Sequence, residues 1–342
     1  MKNTRWMVVV WAIMLCLGVF GEDILRWWRG EHVTRGDDDD VDSTMVTEGV
    51  KVAEEEVQTQ PDDSLFNSLV PHEVPASFQR FERTYKADFG RDFEYEVCVD
   101  FPKREMEHSG GIRKWLLEKF EEALLQHGEI GYVVPKKMNK KRFYKGNIYE
   151  DDKIGQFYSE RFFKQIRRDD IENDEDYPYG VYQHFHMKAT LATECFVSYQ
   201  GWIDNYYGGA HGESVARVYS FDPVHQVEVD WDYLFRHGSR DSVLALVSDV
   251  AVADLRFLYW ETGRIERMDD AEKHLFLAHA RDYNEKIITP QVGLCKDGVI
   301  FSYQMELLSC YAAGTFHFKV TKEKLTPYLT ERGRWCLGLD EF

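Results

Sequence analysis

The sequence is short of positive charge. Its 42 lysines and arginines stand against 60 aspartates and glutamates, a formal net charge of −18, whereas a protein that neutralises phosphates needs a basic face. A nucleic-acid partner is thereby excluded, and a cationic partner suits the balance better. The glycine spacings G-x-G-x-x-G and G-x-x-x-x-G-K-[ST] are missing, so the loops that cradle nucleotide phosphates are not expected. H-E-x-x-H and G-x-S-x-G are missing too, which removes the zinc-peptidase and serine-hydrolase signatures. The six cysteines contain no C-x-x-C pair. The reading is a protein that binds rather than catalyses, with no cofactor.

What the chain does have is enough apolar matter for one or two real cores: 342 residues, 44% hydrophobic and 15% aromatic. Lys2 and Arg5 precede an apolar run from Trp6 to Phe20, and Gly21, Glu22 and Asp23 follow at once. This is the layout of a secretory signal, with Val19 and Gly21 as small residues for cleavage. Cys16 as a lipid anchor is disfavoured by Leu15 just before it, where a small residue is needed. An uncleaved anchor is the other option. At about 1.5 Å per residue the run is shorter than a bilayer core of roughly 30 Å, although Trp27 and Trp28 could serve as an interfacial belt. Residues 1–21 are therefore read as signal peptide or anchor, and the protein as exported to the periplasm or cell envelope. Any membrane contact would be through that segment alone.

From Asp37 to Asp63 eleven acidic residues face a single Lys51. Self-repulsion and scarce apolar area predict a disordered acidic linker over 22–76. The run lacks the alternation of ligand and spacer that a calcium-binding loop requires. Near Ser77 the pattern becomes globular. Asp92 to Phe101 alternates apolar and polar residues as a half-buried strand does, and Ser109 opens a helix with Ile112, Trp115, Leu116, Phe120, Ala123 and Leu124 on one face. A second helix is expected from about Asp152 to Ile171, then strands around Tyr182 to Leu191 and Glu194 to Ile203. Further on, helices are expected over Asp241 to about Glu261 and Asp270 to Glu285. A hairpin turns at Lys296-Asp297-Gly298, Phe316 to Val320 makes a last strand, and a short helix follows. Strands and helices segregate rather than alternate, which predicts an α+β fold with antiparallel sheets, packed helices and two subregions of similar size. The domains are read as 77–193 and 194–342, with the boundary near Thr193.

The densest motif is Tyr206-Tyr207-Gly208-Gly209-Ala210-His211-Gly212, three glycines around one histidine between two predicted strands. Glycine visits positive φ freely, so the stretch reads as a corner that presents His211 at a loop tip, or as a plain structural bulge. Trp202, Tyr206 and Tyr207 cluster beside it, where aromatic faces could stack on a sugar ring or simply pack on the sheet. His184 and His186 lie two apart on a predicted strand, hence on one face. With His211 they make a candidate three-histidine metal set, a weaker alternative to no metal at all. If the leader is cut, Cys98, Cys195, Cys295, Cys310 and Cys336 remain, an odd number that allows one or two disulfides and leaves a free thiol.

Downstream, Tyr219-Ser220-Phe221-Asp222, Trp231-Asp232-Tyr233-Leu234-Phe235, Asp297-Gly298-Val299-Ile300-Phe301 and Tyr311-Ala312-Ala313-Gly314 follow the glycine turn in order. Together these segments resemble, over about Glu194 to Leu329, the C-terminal domain of the RsiV-like family, whose best-known members are anti-sigma factors with an extracytoplasmic lysozyme-sensing region. One departure is Cys310, where the family tends to have proline before the Tyr-Ala-Ala-Gly segment. The resemblance implies a bacterial envelope protein that holds lysozyme or another cationic envelope-active protein. Its ligand-binding candidates are Trp202, Tyr206, Tyr207, Gly208, Gly209, His211 and Tyr311. Only the few residues ahead of Trp6 would remain inside the cell, so no anti-sigma part is expected. A peptidoglycan- or glycan-binding module is the alternative, and a metal-dependent hydrolase at His184, His186 and His211 the next.

Overall fold

A computed structural model of the chain describes residues 75–88, 92–125, 143–168, 180–206, 212–254, 267–282, 285–305, 307–309 and 314–340. Its centre is a six-stranded sheet in the spatial order β1 (Phe78–Asp88), β2 (Asp92–Pro102), β3 (Val181–Ala192), β4 (Val197–Tyr206), β5 (Glu213–Asp222) and β6 (Val227–Glu228). Every neighbouring pair is antiparallel except β2 and β3, which run parallel. A parallel pair needs a crossover connection, and here it contains helices α1 (Ser109–Leu125) and α2 (Asp151–Arg168). The expectation of antiparallel sheets thus fails at one junction, because the helical pattern between the strands is itself the crossover.

The alternation of β2 decides which face those helices cover. Phe93, Tyr95, Val97, Val99 and Phe101 point to one side and are fully buried with Phe185 and Met187 of β3. Ile112, Trp115, Leu116 and Phe120 of α1 and Ile154, Tyr158 and Phe162 of α2 meet them there. Phe120 stacks on Tyr158 at 4.6 Å and lies 4.2 Å from the ring of Phe185. Burying one such side chain contributes about 1.5–3 kcal/mol, so this face is the main reason the sheet holds its helices.

A second core is built by helices α3 (Trp231–Leu234), α4 (Arg240–Ala251) and α5 (Asp270–Leu275) with a three-stranded antiparallel sheet, β7 (Gln291–Cys295), β8 (Gly298–Tyr303) and β9 (Phe316–Thr321). Short helices α6 (Lys322–Leu325) and α7 (Glu331–Cys336) close it. The α+β class with two subregions is what the molecule has. The two sheets meet where Ser198 Oγ donates to the Leu294 carbonyl at 2.8 Å, Leu294 N donates to Ser220 Oγ at 2.8 Å, and the two serine oxygens lie 2.7 Å apart. Gly293 allows this approach: a Cβ there would stand 2.3 Å from the Val218 carbonyl oxygen. Position 193 lies in the turn between β3 and β4, so the large sheet runs across it.

Two expected helices are shorter than their apolar pattern suggested. The one beginning near Asp241 ends at Ala251 in a tight turn, with Ala253 N donating to Val250 and Asp254 N to Ala251. The one beginning at Asp270 gives way after Leu275 to a 3₁₀ turn at Phe276–Ala278, where Ser248 Oγ of α4 accepts the Leu277 N–H at 3.0 Å. In the second place a tertiary contact overrides the helical period. Strand β1 had no clear alternation, and only its pairing along the whole length of β2 makes it visible. Cys98, Cys195, Cys295 and Cys336 are free thiols, against the allowance for disulfides; Cys310 lies outside the described residues. The leader and acidic linker up to residue 74 lie outside them as well.

Candidate functional site

The face of the large sheet opposite α1 and α2 carries the chemistry. Register places Glu94, Glu96 and Cys98 of β2 beside Tyr182, His184 and His186 of β3, which in turn oppose Tyr206, Asp204 and Trp202 of β4. A strand period of two sends all of these to one side. At the far edge, β5 presents Ala216 and Val218, which pack with Cys295 and Ile300 of the small sheet and with Trp202. The small sheet therefore covers one flank of this face. Glu94, Glu96, Tyr182, His184, His186, Trp202, Asp204 and Tyr206 are left half-buried.

Their side chains form one connected array. His186 Nε2 lies 2.8 Å from Glu96 Oε1, and His184 Nε2 lies 3.4 Å from Glu94 Oε1. Lys86 of β1 reaches the other oxygen of Glu94 at 3.0 Å. On its far side His184 Nδ1 faces Asp204 Oδ2 at 4.0 Å. The Tyr182 ring stacks on His184 at 4.6 Å and on Tyr206 at 5.8 Å, and Trp202 stands edge-on to His186 at 5.1 Å. Trp202 Nε1 donates to Ser214 Oγ at 2.7 Å, which fixes the indole across the β4–β5 pair. Burial pushes the Glu94 carboxyl up, but the hydrogen bond from Lys86 and the nearby His184 outweigh it, and the group lies below its ordinary range. For His186 burial wins over the Glu96 contact, and the imidazole is held below its ordinary 6.5. Two ring atoms, His184 Nε2 and His186 Nδ1, are buried without a hydrogen-bond partner. Glu94, Glu96 and His184 each offer a donor atom within 4.8 Å of the others.

Of the residues singled out from sequence, the sheet brings together Trp202, Tyr206, His184 and His186. Tyr207, Gly208, Gly209, His211 and Tyr311 lie outside the described residues. The segment from Tyr207 to His211 connects β4 to β5, whose residues Asn205 and Glu213 pair. At its far end Gly212 is required by space: a Cβ would stand 2.7 Å from the Asn205 carbonyl oxygen. Sequence reasoning missed Glu94, Glu96 and Asp204. The signal for the first two was present in the alternation Phe93-Glu94-Tyr95-Glu96-Val97, but the parallel pairing that sets them beside His184 has no local signature.

No protein-family model matches the chain, and no curated protein matches it either. Solved structures do. One is a member of the DUF3298 family from Bacteroides fragilis, 16% identical, covering 78% of this chain and 97% of that one with a TM-score of 0.52. The chain shares that protein's fold. A DUF3298 family protein from Pseudomonas aeruginosa is 13% identical over 76% of this chain and 96% of its own, with a TM-score of 0.45. At such identities the likeness to the first extends to architecture and leaves the site to be argued from its residues.

Proposed function

We propose that this is an exported binding protein of the bacterial envelope that holds a cationic protein through the open face of its large sheet. The carrying observation is the composition of that face: Glu94, Glu96 and Asp204 are interleaved with Tyr182, Trp202 and Tyr206. Aromatic anchors framed by carboxylates suit a basic protein surface, with the rings supplying area and the charges supplying steering. A net charge of −18 acts in the same direction at long range. The RsiV-like resemblance names lysozyme as the first ligand to try. A binding rather than catalytic role is supported by the thiols: burial raises Cys98 and Cys195, and pushes Cys295 to about 11 and Cys336 to about 12, the opposite of a nucleophile's tuning.

The test is calorimetric titration of the purified chain with lysozyme at low and moderate salt. Binding that weakens with salt and is lost in Trp202→Ala is expected. No heat at either salt removes lysozyme as the ligand. A second reading, a cell-wall glycan stacked on Trp202 and Tyr206, is favoured by the edge-fixed indole; sedimentation with insoluble peptidoglycan distinguishes it.

A further inference from the structure

The open face also carries a set of donors that a basic protein surface does not explain. We propose that Glu94, Glu96 and His184 form a binding site for a divalent first-row transition metal, zinc being the probe of choice. This goes beyond the partner reading and does not rest on it.

Geometry comes first. The three donor atoms lie within 4.8 Å of one another, and His184 Nε2 to Glu94 Oε1 is 3.4 Å. Ligands at about 2.0–2.1 Å from a tetrahedral zinc stand roughly 3.4 Å apart, so a small side-chain closure completes the set. An imidazole with two carboxylates suits zinc or manganese better than calcium or magnesium, which take oxygen ligands alone.

The second observation is independent of the carboxylates. His184 Nε2 is buried and accepts or donates no hydrogen bond, although a buried polar atom ordinarily has a partner. It is the ring nitrogen turned toward Glu94, while Nδ1 is turned toward Asp204 at 4.0 Å. A carboxylate behind one nitrogen, with the other turned toward the remaining donors, is how a protein orients a metal-ligating histidine. With a metal on Nε2 the proton would stand on Nδ1, facing Asp204.

The neighbours divide their work without conflict. Lys86 takes Oε2 of Glu94 and leaves Oε1 facing His184. His186 Nε2 takes Oε1 of Glu96 and leaves Oε2. Asp204 and His186 are therefore positioning residues around three ligands. A fourth position faces the open side of the sheet, where water or a ligand's own donor completes the coordination.

The experiment uses the full chain freed of metal by a chelator and then titrated with zinc chloride by calorimetry, with cobalt(II) absorbance as a second readout. One zinc per chain is expected, together with visible bands of cobalt bound to nitrogen and oxygen. Both signals should vanish in His184→Gln and in Glu94→Gln/Glu96→Gln, and Asp204→Asn should weaken zinc about tenfold. Zinc should raise the melting temperature of the wild type alone. If His184→Gln fails to fold, the carboxamide pair carries the test. Absence of stoichiometric binding at tens of micromolar zinc overturns the proposal, as does binding that survives in the folded Glu94→Gln/Glu96→Gln chain.

Discussion

The two faces of the large sheet use charged residues in opposite ways. Under the helices, Lys119 is 3% exposed yet bonds Glu122 at 2.8 Å and also Glu228, which takes a further hydrogen bond from Trp115 Nε1 at 3.1 Å. Arg217 stacks 3.8 Å above the Tyr219 ring and reaches the same Glu228 at 3.7 Å. Arg113 is 1% exposed and donates to Asp151 at 2.6 Å and to the Pro102 and Ile148 carbonyls. Each of these charges has an opposite charge beside it, although Arg217 Nε is left without a hydrogen-bond partner. On the open face the carboxylates are satisfied by Lys86 and His186, but two imidazole nitrogens end without a hydrogen-bond partner. The group left over under the helices is an N–H donor of a cation, which serves the fold, whereas ring nitrogens left over beside carboxylates are an invitation to a cationic ligand.

The difference is open to direct attack, and the largest effect is expected under the helices. Lys119→Ala takes away the buried cation that Glu228 and Glu122 share, and removing one partner of a buried pair costs about 3–5 kcal/mol. Glu96→Gln on the open face should cost less than about 1 kcal/mol, in keeping with a partly exposed pair. Urea unfolding of the two variants checks this, and equal losses would erase the contrast between the faces.

A smaller effect of the same network appears on acidification. Burial pushes the Glu228 carboxyl up, but Lys119 and Arg217 together hold it below its ordinary 4.5. The unfolded chain then binds the proton first, so stability that is present above about 4.5 is lost as pH falls through the lower folded value. Urea midpoints taken from neutral pH downward should fall less steeply in Glu228→Gln than in the wild type below that point. Parallel curves would mean that Glu228 contributes nothing to acid sensitivity.

Much of the architecture was legible because it is written locally. The apolar stripe from Ile112 to Leu124 and the alternation from Phe93 to Phe101 are statements about one element each, and both elements are where the pattern puts them. The Lys296-Asp297 turn is equally local, with Cys295 pairing Gly298 across it. The site was legible only in halves. His184 and His186 share a face for the reason expected, the strand period, but their partners Glu94 and Glu96 come from a strand about 90 residues earlier, joined by a parallel pairing. Among the described residues Glu94, Glu96 and His184 lie together, and His211, the third histidine of the set expected from sequence, lies outside them. Long-range register has no residue-level code, and helix ends fixed by Ser248 have none either.

The smallest effect sharpens the contrast most. Lys86 is 75% exposed on the edge strand, and its bond to Glu94 is screened by water, so Lys86→Gln should leave the melting temperature unchanged. Its ammonium nevertheless competes with any cation brought to Glu94. Removing it should therefore tighten zinc a few-fold, the amount one unit charge several ångströms away supplies in a high dielectric. Calorimetry on the same preparation reads both quantities. A variant that melts as the wild type does but binds zinc more weakly would mean that Lys86 orients Glu94 rather than opposes the metal, and the division between its two carboxylate oxygens would have to be redrawn.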